Sequence, residues 1–269
     1  MTAPTTPGLY PDIPEGVYHG DPDSLSSTAV RTLVRPGGPA KHVGAVTEDS
    51  DVFDIGKAAH TLLLGAGAGI REVAADTWQT KEARAARAEA RAAGQIPLLA
   101  KQAAATREMV AVALAHPEVA EVLSSGRPEV SAYAMDPVHW VMLRARFDWL
   151  VEHEDGVEVL DYKTTKNAAP GGFERSAAEY GYHIQEAHYR RVLEELGIRV
   201  KRFRFLAQEK TPPYLPCWHE YEADAIEAGH RVVDEAVEIF AACRAVDDWP
   251  GYGASTNRMI LPPWAFGKW

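Results

Sequence analysis

The sequence predicts an α/β fold, a mixed central sheet flanked by helices with a helical N-terminal part. Three observations predict it. After a proline-rich start, apolar residues recur at helical spacing and lead into an alanine-rich stretch. The middle then switches to alternation of period two over three consecutive segments. The last third runs helix, strand and helix again, the order of a layered α/β core.

Each element has its own signals. Residues 1–23 hold Pro4, Pro7, Pro11, Pro14 and Pro22 and read as an extended lead-in. Ser26 and Ser27 precede a short helix from Ala29 to Val34, which Pro36-Gly37-Gly38-Pro39 stops. Residues 51–64 read as a second helix, with Phe53, Ala59 or His60, and Leu63 or Leu64 near i, i+3, i+4 spacing. A long alanine-rich helical region spans about 80–123, with a break near Gly94 to Pro97. Strands follow at Glu129 to Met135, Trp140 to Leu150 and Val157 to Thr164, separated by turn residues. A helix from about Ser176 to Leu196 is closed by Gly197. Val200 to Gln208 is a further strand, Trp218 to Tyr221 another, and a last helix covers about Ala223 to Ala245. The division is a lead-in (1–23) and a single domain (24–269). That domain has a helical part to about 125, a core over about 126–248 and an irregular aromatic tail over 249–269.

Composition narrows the function classes. Apolar residues at 46% and charged residues at 25% suit a soluble globular chain that can build a core. No stretch approaches the roughly 20 apolar residues of a membrane span, and no basic-then-apolar start marks a secretory signal. Cys217 and Cys243 form no C-x-x-C pair, which points to a reducing, intracellular setting. A net charge of −10 argues against coating nucleic acid by bulk charge. It leaves room for an enzyme with a local basic groove and a carboxylate-lined metal site.

The strongest chemical signal is Asp148 followed by Asp161-Tyr162-Lys163. Strand alternation puts Arg144, Arg146 and Asp148 on one face, with Val141, Leu143, Ala145, Phe147 and Trp149 on the other. On the next strand Asp161 and Lys163 share a face with Val157 and Val159, opposite Leu160 and Tyr162. Two carboxylates and an amine then meet at neighbouring strand ends. Paired oxygen donors suit Mg²⁺, which keeps several waters and takes phosphate oxygens as further ligands. Lys163 would orient or help deprotonate a water, or neutralise the phosphate. The plain structural alternative is a surface Asp–Lys ladder. Gln185 and Tyr189, at i, i+4, share a helix face and suit phosphate or base contact, or simple packing on the sheet. Gly56-Lys57-Ala58-Ala59-His60 places a glycine and a histidine one turn apart. Gly56 there would permit a close approach, and His60 would reach a metal or phosphate or merely pack.

Taken in chain order, these motifs resemble a family. Gly56 and His60 (G-x-x-x-H), Asp148, Asp161-Tyr162-Lys163, and Gln185 with Tyr189 (Q-x-x-x-Y) look like the RecB-type branch of the PD-(D/E)xK nucleases. The match is closer to the phage and prophage exodeoxyribonuclease VIII (RecE-type) group. Ser24-Leu25-Ser26-Ser27 resembles that group's N-terminal segment. Glu129-Val130-Ser131 with Arg144-Ala145-Arg146-Phe147-Asp148 resembles its E-x-S and K-x-R-x-D strands, with Arg144 where lysine is usual. Leu261-Pro262-Pro263-Trp264-Ala265 resembles its ending.

The resemblance implies a Mg²⁺-dependent exodeoxyribonuclease, with Mn²⁺ also suitable. It acts on double-stranded DNA ends to leave single strands for an annealing protein in recombination. Asp148, Asp161, the Tyr162 backbone carbonyl and His60 would hold one or two metals. Lys163 would serve the attacking water, Gln185 and Tyr189 would position substrate, and Glu129, Arg144 and Arg146 would stand behind the metal ligands. It further implies a homo-oligomer in the cytoplasm of a bacterial host, with no membrane partner. A RecB-like enzyme with an iron–sulfur cluster needs about four cysteines, so no such cluster is expected. The alternative classes are a non-catalytic DNA-end-binding or protein-interaction module on the same fold, and a structural phage protein. Lys81, Arg84, Arg87 and Arg91 form a basic helical stripe suited to a DNA backbone, or a solvated face. The tail aromatics Trp249, Tyr252, Trp264, Phe266 and Trp269 suit base stacking or docking on the domain.

Overall fold

A computed structural model describes residues 2–45 and 51–267, with no side chain given for 51–53. Phe53's side chain and Trp269 lie outside the described residues. The elements in chain order are β1 (Gly8–Tyr10), α1 (Glu15–His19), β2 (Ser24–Ser26), α2 (Ser27–Leu33), α3 (Gly38–Val43) and α4 (Asp51–Leu64). Then come β3 (Ile70–Val73), α5 (Lys81–Ala92), β4 (Ile96–Leu99), α6 (Ala100–Leu114) and α7 (Pro117–Leu123). The second half holds β5 (Arg127–Met135), β6 (Met142–His153), β7 (Gly156–Thr165), α8 (Gly172–Tyr180), α9 (Tyr182–Glu195), β8 (Val200–Glu209), β9 (Pro216–His219) and α10 (Ala223–Val246).

Among the described residues, seven strands make one mixed sheet in the order β1-β5-β6-β7-β8-β9, with β2 paired to β6. The β5–β6, β6–β7, β8–β9 and β1–β5 pairs are antiparallel. β7–β8 and β2–β6 are parallel. The parallel β7–β8 step requires a long crossover, which α8 and α9 supply. One sheet face buries Leu143, Ala145, Phe147, Val159, Phe203 and Phe205 under α2, α9 and α10. The other buries Trp149, Val151, Leu160, Tyr162 and Leu206 under α4, α6 and α7. The sheet is thus sandwiched between two helical layers. The hydroxyl of Ser26 caps α2 by accepting from Ala29 N at 3.3 Å.

Several expectations are corrected. The lead-in is not a separate extended segment, because β1 joins the sheet edge and α1 follows it. The first short helix does end before Pro36-Gly37-Gly38-Pro39, at Leu33, but a second helix not foreseen, α3, begins directly after Gly37, which turns at φ +70°. The break near Gly94 to Pro97 is a strand, β4, paired in parallel with β3. The second strand starts at Met142, since Trp140 sits in a turn at φ +56°. The helix predicted over 176–196 is two helices, divided by Gly181 in the left-handed conformation. Phe147 and Trp149, predicted to share a face, bury on opposite faces. Beside them Glu129 of β5 adopts φ +54° and forms no ladder pair with Asp148, though the register is the same on either side.

The α9–α10 contact is close. A Cβ on Gly229 of α10 would lie 2.5 Å from the His183 carbonyl oxygen and 2.7 Å from the Ala187 Cβ. Backbone cannot yield there as a flexible side chain can. Gly229→Ala is expected to cost about 1–3 kcal/mol, read as a fall of several degrees in Tm by calorimetry.

Candidate active site

The site arises where strands part. The β6–β7 ladder runs from His153 opposite Gly156 to Trp149 opposite Leu160, and stops. One step further, the same register sets Asp148 opposite Asp161. Farther along, β2 pairs Ser24–Ser26 with Met142–Arg144 of β6. On the other flank, the β5–β6 ladder passes from Pro128–Trp149 to Val130–Phe147, skipping the step that sets Glu129 opposite Asp148. Glu129 adopts φ +54°, a left-handed conformation costing a non-glycine residue about 1–2 kcal/mol. Three carboxylates therefore stand abreast on three adjacent strands, at the one level where both ladders are interrupted.

Helix α4 lies over this level. A Cβ on Gly56 would be 3.5 Å from Thr164 Oγ1 of β7, ordinary contact. One turn later His60 places Nε2 at 2.9 Å from Asp148 Oδ1 and Nδ1 at 3.2 Å from Glu129 Oε1. The Tyr162 N–H, freed from the ladder, donates to Asp148 Oδ2 at 2.7 Å. Lys163 Nζ lies 2.5 Å from Asp161 Oδ1, and the Gln185 amide donates to Asp161 Oδ2 at 2.6 Å. Arg146 Nε is 3.8 Å from Glu129 Oε2.

Crowding and burial perturb His60, Glu129, Asp148, Asp161 and Lys163. Burial opposes the His60 cation, but the charge and hydrogen bond of Asp148, then Glu129 and Asp161, outweigh it and lift its pKa to about 9. Burial first, and then the Asp148 charge, lift Glu129 to about 7 against His60 and Arg146. Burial lifts Asp161 to about 6, opposed by Lys163 and assisted by Asp148. For Asp148 burial is overcome: His60, Lys163 and the Tyr162 N–H hold it below the usual carboxylate range. Burial likewise opposes charge on Lys163, but Asp161 and Asp148 keep its pKa above the ordinary lysine value.

His60, Glu129 and Asp148 each offer a ligand atom, and these atoms lie within 4.8 Å of one another. An imidazole beside carboxylates that burial and mutual repulsion make costly to ionise is a donor set that fits a divalent cation. The structure brings Glu129 into this cluster beside His60 and Asp148, nearer than a supporting position behind the ligands.

The other predicted residues divide. Tyr189 is 7% exposed and stands edge-on to Phe147 at 5.3 Å, in the main core. Arg144 is buried and donates to Asp21 O and to the Ser24 backbone and hydroxyl oxygens, bracing the N-terminal segment on β6. Arg146 also donates to Ser131 Oγ at 2.9 Å and Ile13 O at 2.6 Å. The basic stripe is not uniform. Lys81 and Arg84 are exposed, Arg87 lies over the Trp78 ring, and Arg91 pairs with the buried Asp54 of α4 at 2.7 Å. In the tail, Trp249 docks on His42 and Phe240, whereas Tyr252 and Phe266 are exposed.

Sequence reasoning passed over Tyr182, whose ring centroid lies 4.9 Å from Lys163 Nζ. It precedes Gln185 by three residues, and that helical spacing was the available signal. No helix among the described residues is long and apolar enough to cross a membrane.

Fold and site together define a protein of the PD-(D/E)xK nuclease class. The family described as PDDEXK-like domain of unknown function (DUF3799) matches residues 38–260, and the chain belongs to that family. In fold it is similar to the crystal structure of a "Putative exonuclease" from Eubacterium rectale. The TM-score is 0.62 at 12% identity, over 94% of this chain and 96% of that one. The crystal structure of SSO0001 aligns at 11% identity over 79% of this chain and 85% of its own. Its TM-score is 0.28. No curated protein matches the chain.

Proposed function

We propose that the chain is a divalent-cation-dependent exodeoxyribonuclease of RecE type, hydrolysing phosphodiester bonds at double-stranded DNA ends. The observation that supports this best is the alignment of Glu129, Asp148 and Asp161 under His60, with Lys163 on Asp161. In this reading Asp148, Asp161, His60 and the Tyr162 carbonyl hold Mg²⁺ or Mn²⁺, and the position of Glu129 adds it to that set. Such a cation, when bound, stabilises phosphate charge and lowers the pKa of a bound water. Gln185 and the Tyr162 N–H fix the orientation of Asp161 and Asp148. Lys163, held charged, faces the anionic phosphate and orients the attacking water; a cation so maintained is a poor base. Tyr189 acts through packing, by setting the angle of α9 and hence of Gln185. Lys81 and Arg84 supply backbone contacts on an otherwise acidic body.

The wider reading follows from the family resemblance. The enzyme works in the cytoplasm of a bacterial host, phage or prophage encoded, as a homo-oligomer. It supplies single strands to an annealing protein. The test uses linear duplexes labelled separately at each 5′ and each 3′ end, beside a covalently closed circle, with Mg²⁺, Mn²⁺ or EDTA. The expected result is cation-dependent loss of the linear form alone, with the order of label release giving polarity. Intact linear DNA with both cations contradicts the proposal, and retained DNA binding would then favour the end-binding module.

A further inference from the structure

An aromatic column runs from the core to the surface beside Lys163. Phe205 of β8, buried, is followed by Tyr182 at 5.8 Å between centroids and 16° between planes. Tyr182 is followed by Tyr180 at 5.8 Å and 22°. Phe173 flanks Tyr182 at 5.9 Å. Tyr180 ends the column and is 57% exposed.

The stacking of the two tyrosines is built, not incidental. Residues two apart on a continuous helix do not face each other. The left-handed turn at Gly181, φ +67°, ends α8 and starts α9, and that bend is what brings the rings together. Arg31 clamps the turn. Its Nη1 donates to Tyr180 O at 2.6 Å and its Nε to Ser27 O at 3.1 Å. A Cβ on Gly181 would lie 3.1 Å from the Arg31 Cδ. The middle ring, Tyr182, carries Lys163 Nζ at 4.9 Å, a cation–π distance. The column is therefore fixed to the same lysine that holds Asp161.

We infer that Tyr180 is a stacking platform for a nucleobase of the DNA strand whose phosphate lies at Lys163, the base adding the next ring to the Phe205–Tyr182–Tyr180 column. This rests on the reading of the cluster as a DNA-hydrolysing site. It deepens that reading, because it assigns a base contact where the proposed chemistry involves only phosphate. Every base has a π-face, so such a platform accepts any sequence. That suits an enzyme that must take each nucleotide of a strand in turn.

The test places 2-aminopurine, a base whose fluorescence stacking quenches, at the terminal position of each strand of a linear duplex in turn. The full chain binds these duplexes with Ca²⁺ in place of Mg²⁺. The expected result is quenching at one terminus with the native chain and with Tyr180→Phe, which keeps the ring. Tyr180→Ala loses the quenching and its Kd for the duplex rises about tenfold. Unchanged quenching and Kd in Tyr180→Ala overturn the inference, as does absence of quenching at every terminus with the native chain. Hydrolysis of unmodified duplex with Mg²⁺, measured separately, keeps the two readings apart. Hydrolysis without quenching removes the platform and leaves the exonuclease. Quenching without hydrolysis leaves the platform and removes the exonuclease.

Discussion

Lys163→Ala is expected to lower the rate of DNA hydrolysis by about 10²- to 10³-fold, the usual cost of deleting one preorganised charge stabiliser at a reacting centre. Lys163 Nζ is 2.5 Å from Asp161 and 4.9 Å from the Tyr182 ring, so its head is fixed before substrate arrives. Burial works against its charge, and the two aspartates beside it more than offset that. The loss has a second component. Without Lys163, burial and the Asp148 charge act on Asp161 unopposed by its closest cation, and its carboxyl is driven further above the usual range. The variant should therefore also need more Mg²⁺ for half-maximal rate. Single-turnover kinetics across a Mg²⁺ titration separate the two effects. An unchanged rate at saturating Mg²⁺ would remove Lys163 from the chemistry.

The second large effect is on stability. In the cation-free protein His60, Glu129 and Asp161 all have folded-state pKa values above their ordinary ones. The folded state then binds more protons than the unfolded chain, so stability falls as pH rises. The His60 contribution is fully present below about 6.5 and is lost as pH passes through about 9. The contributions of Glu129 and Asp161 are lost lower, through about 7 and about 6. Asp148 has the opposite sign: its depressed value contributes above the ordinary carboxylate range and is lost on acidification. Above neutral pH the His60 contribution dominates, of order 3 kcal/mol. In the proposed site a divalent cation would take the place of these protons. It should stabilise by about 2.7 kcal/mol at a hundredfold excess over its Kd, and by more at alkaline pH, where protons no longer compete. Melting curves across pH, with and without Mn²⁺, should show Tm of the free protein falling toward pH 9 and the cation restoring it. A flat profile that ignores the cation would contradict the assigned cluster.

Much of this was legible from local pattern. Period-two alternation located β5, β6 and β7, and the strand-end pairing of Asp148 with Asp161 followed from it. The helix over 51–64 has the expected bounds, because its apolar spacing is strong. The failures have physical causes. The short strands β1, β2 and β4 gain their hydrogen bonds from distant partners, so no local signal marks them. Gly181 looks like an ordinary residue inside a helical pattern, yet its positive φ splits that helix. Glu129 reads as a strand residue. Only the three-strand register shows that it stands level with Asp148, in a conformation that interrupts the ladder. Tyr189 illustrates the reverse case: the Q-x-x-x-Y spacing is real, but α9 turns Gln185 to Asp161 and Tyr189 into the core.

In the proposed function, three strands and α4 assemble a cation site from Glu129, Asp148 and His60, with Asp161 beside them. Mn²⁺ binding to the purified full chain, followed by electron paramagnetic resonance, tests it most directly. The expected result is saturable binding by the native chain, lost in Asp148→Asn and weakened in His60→Ala. Native protein that binds no Mn²⁺, or Asp148→Asn that binds it as the native chain does, would contradict it.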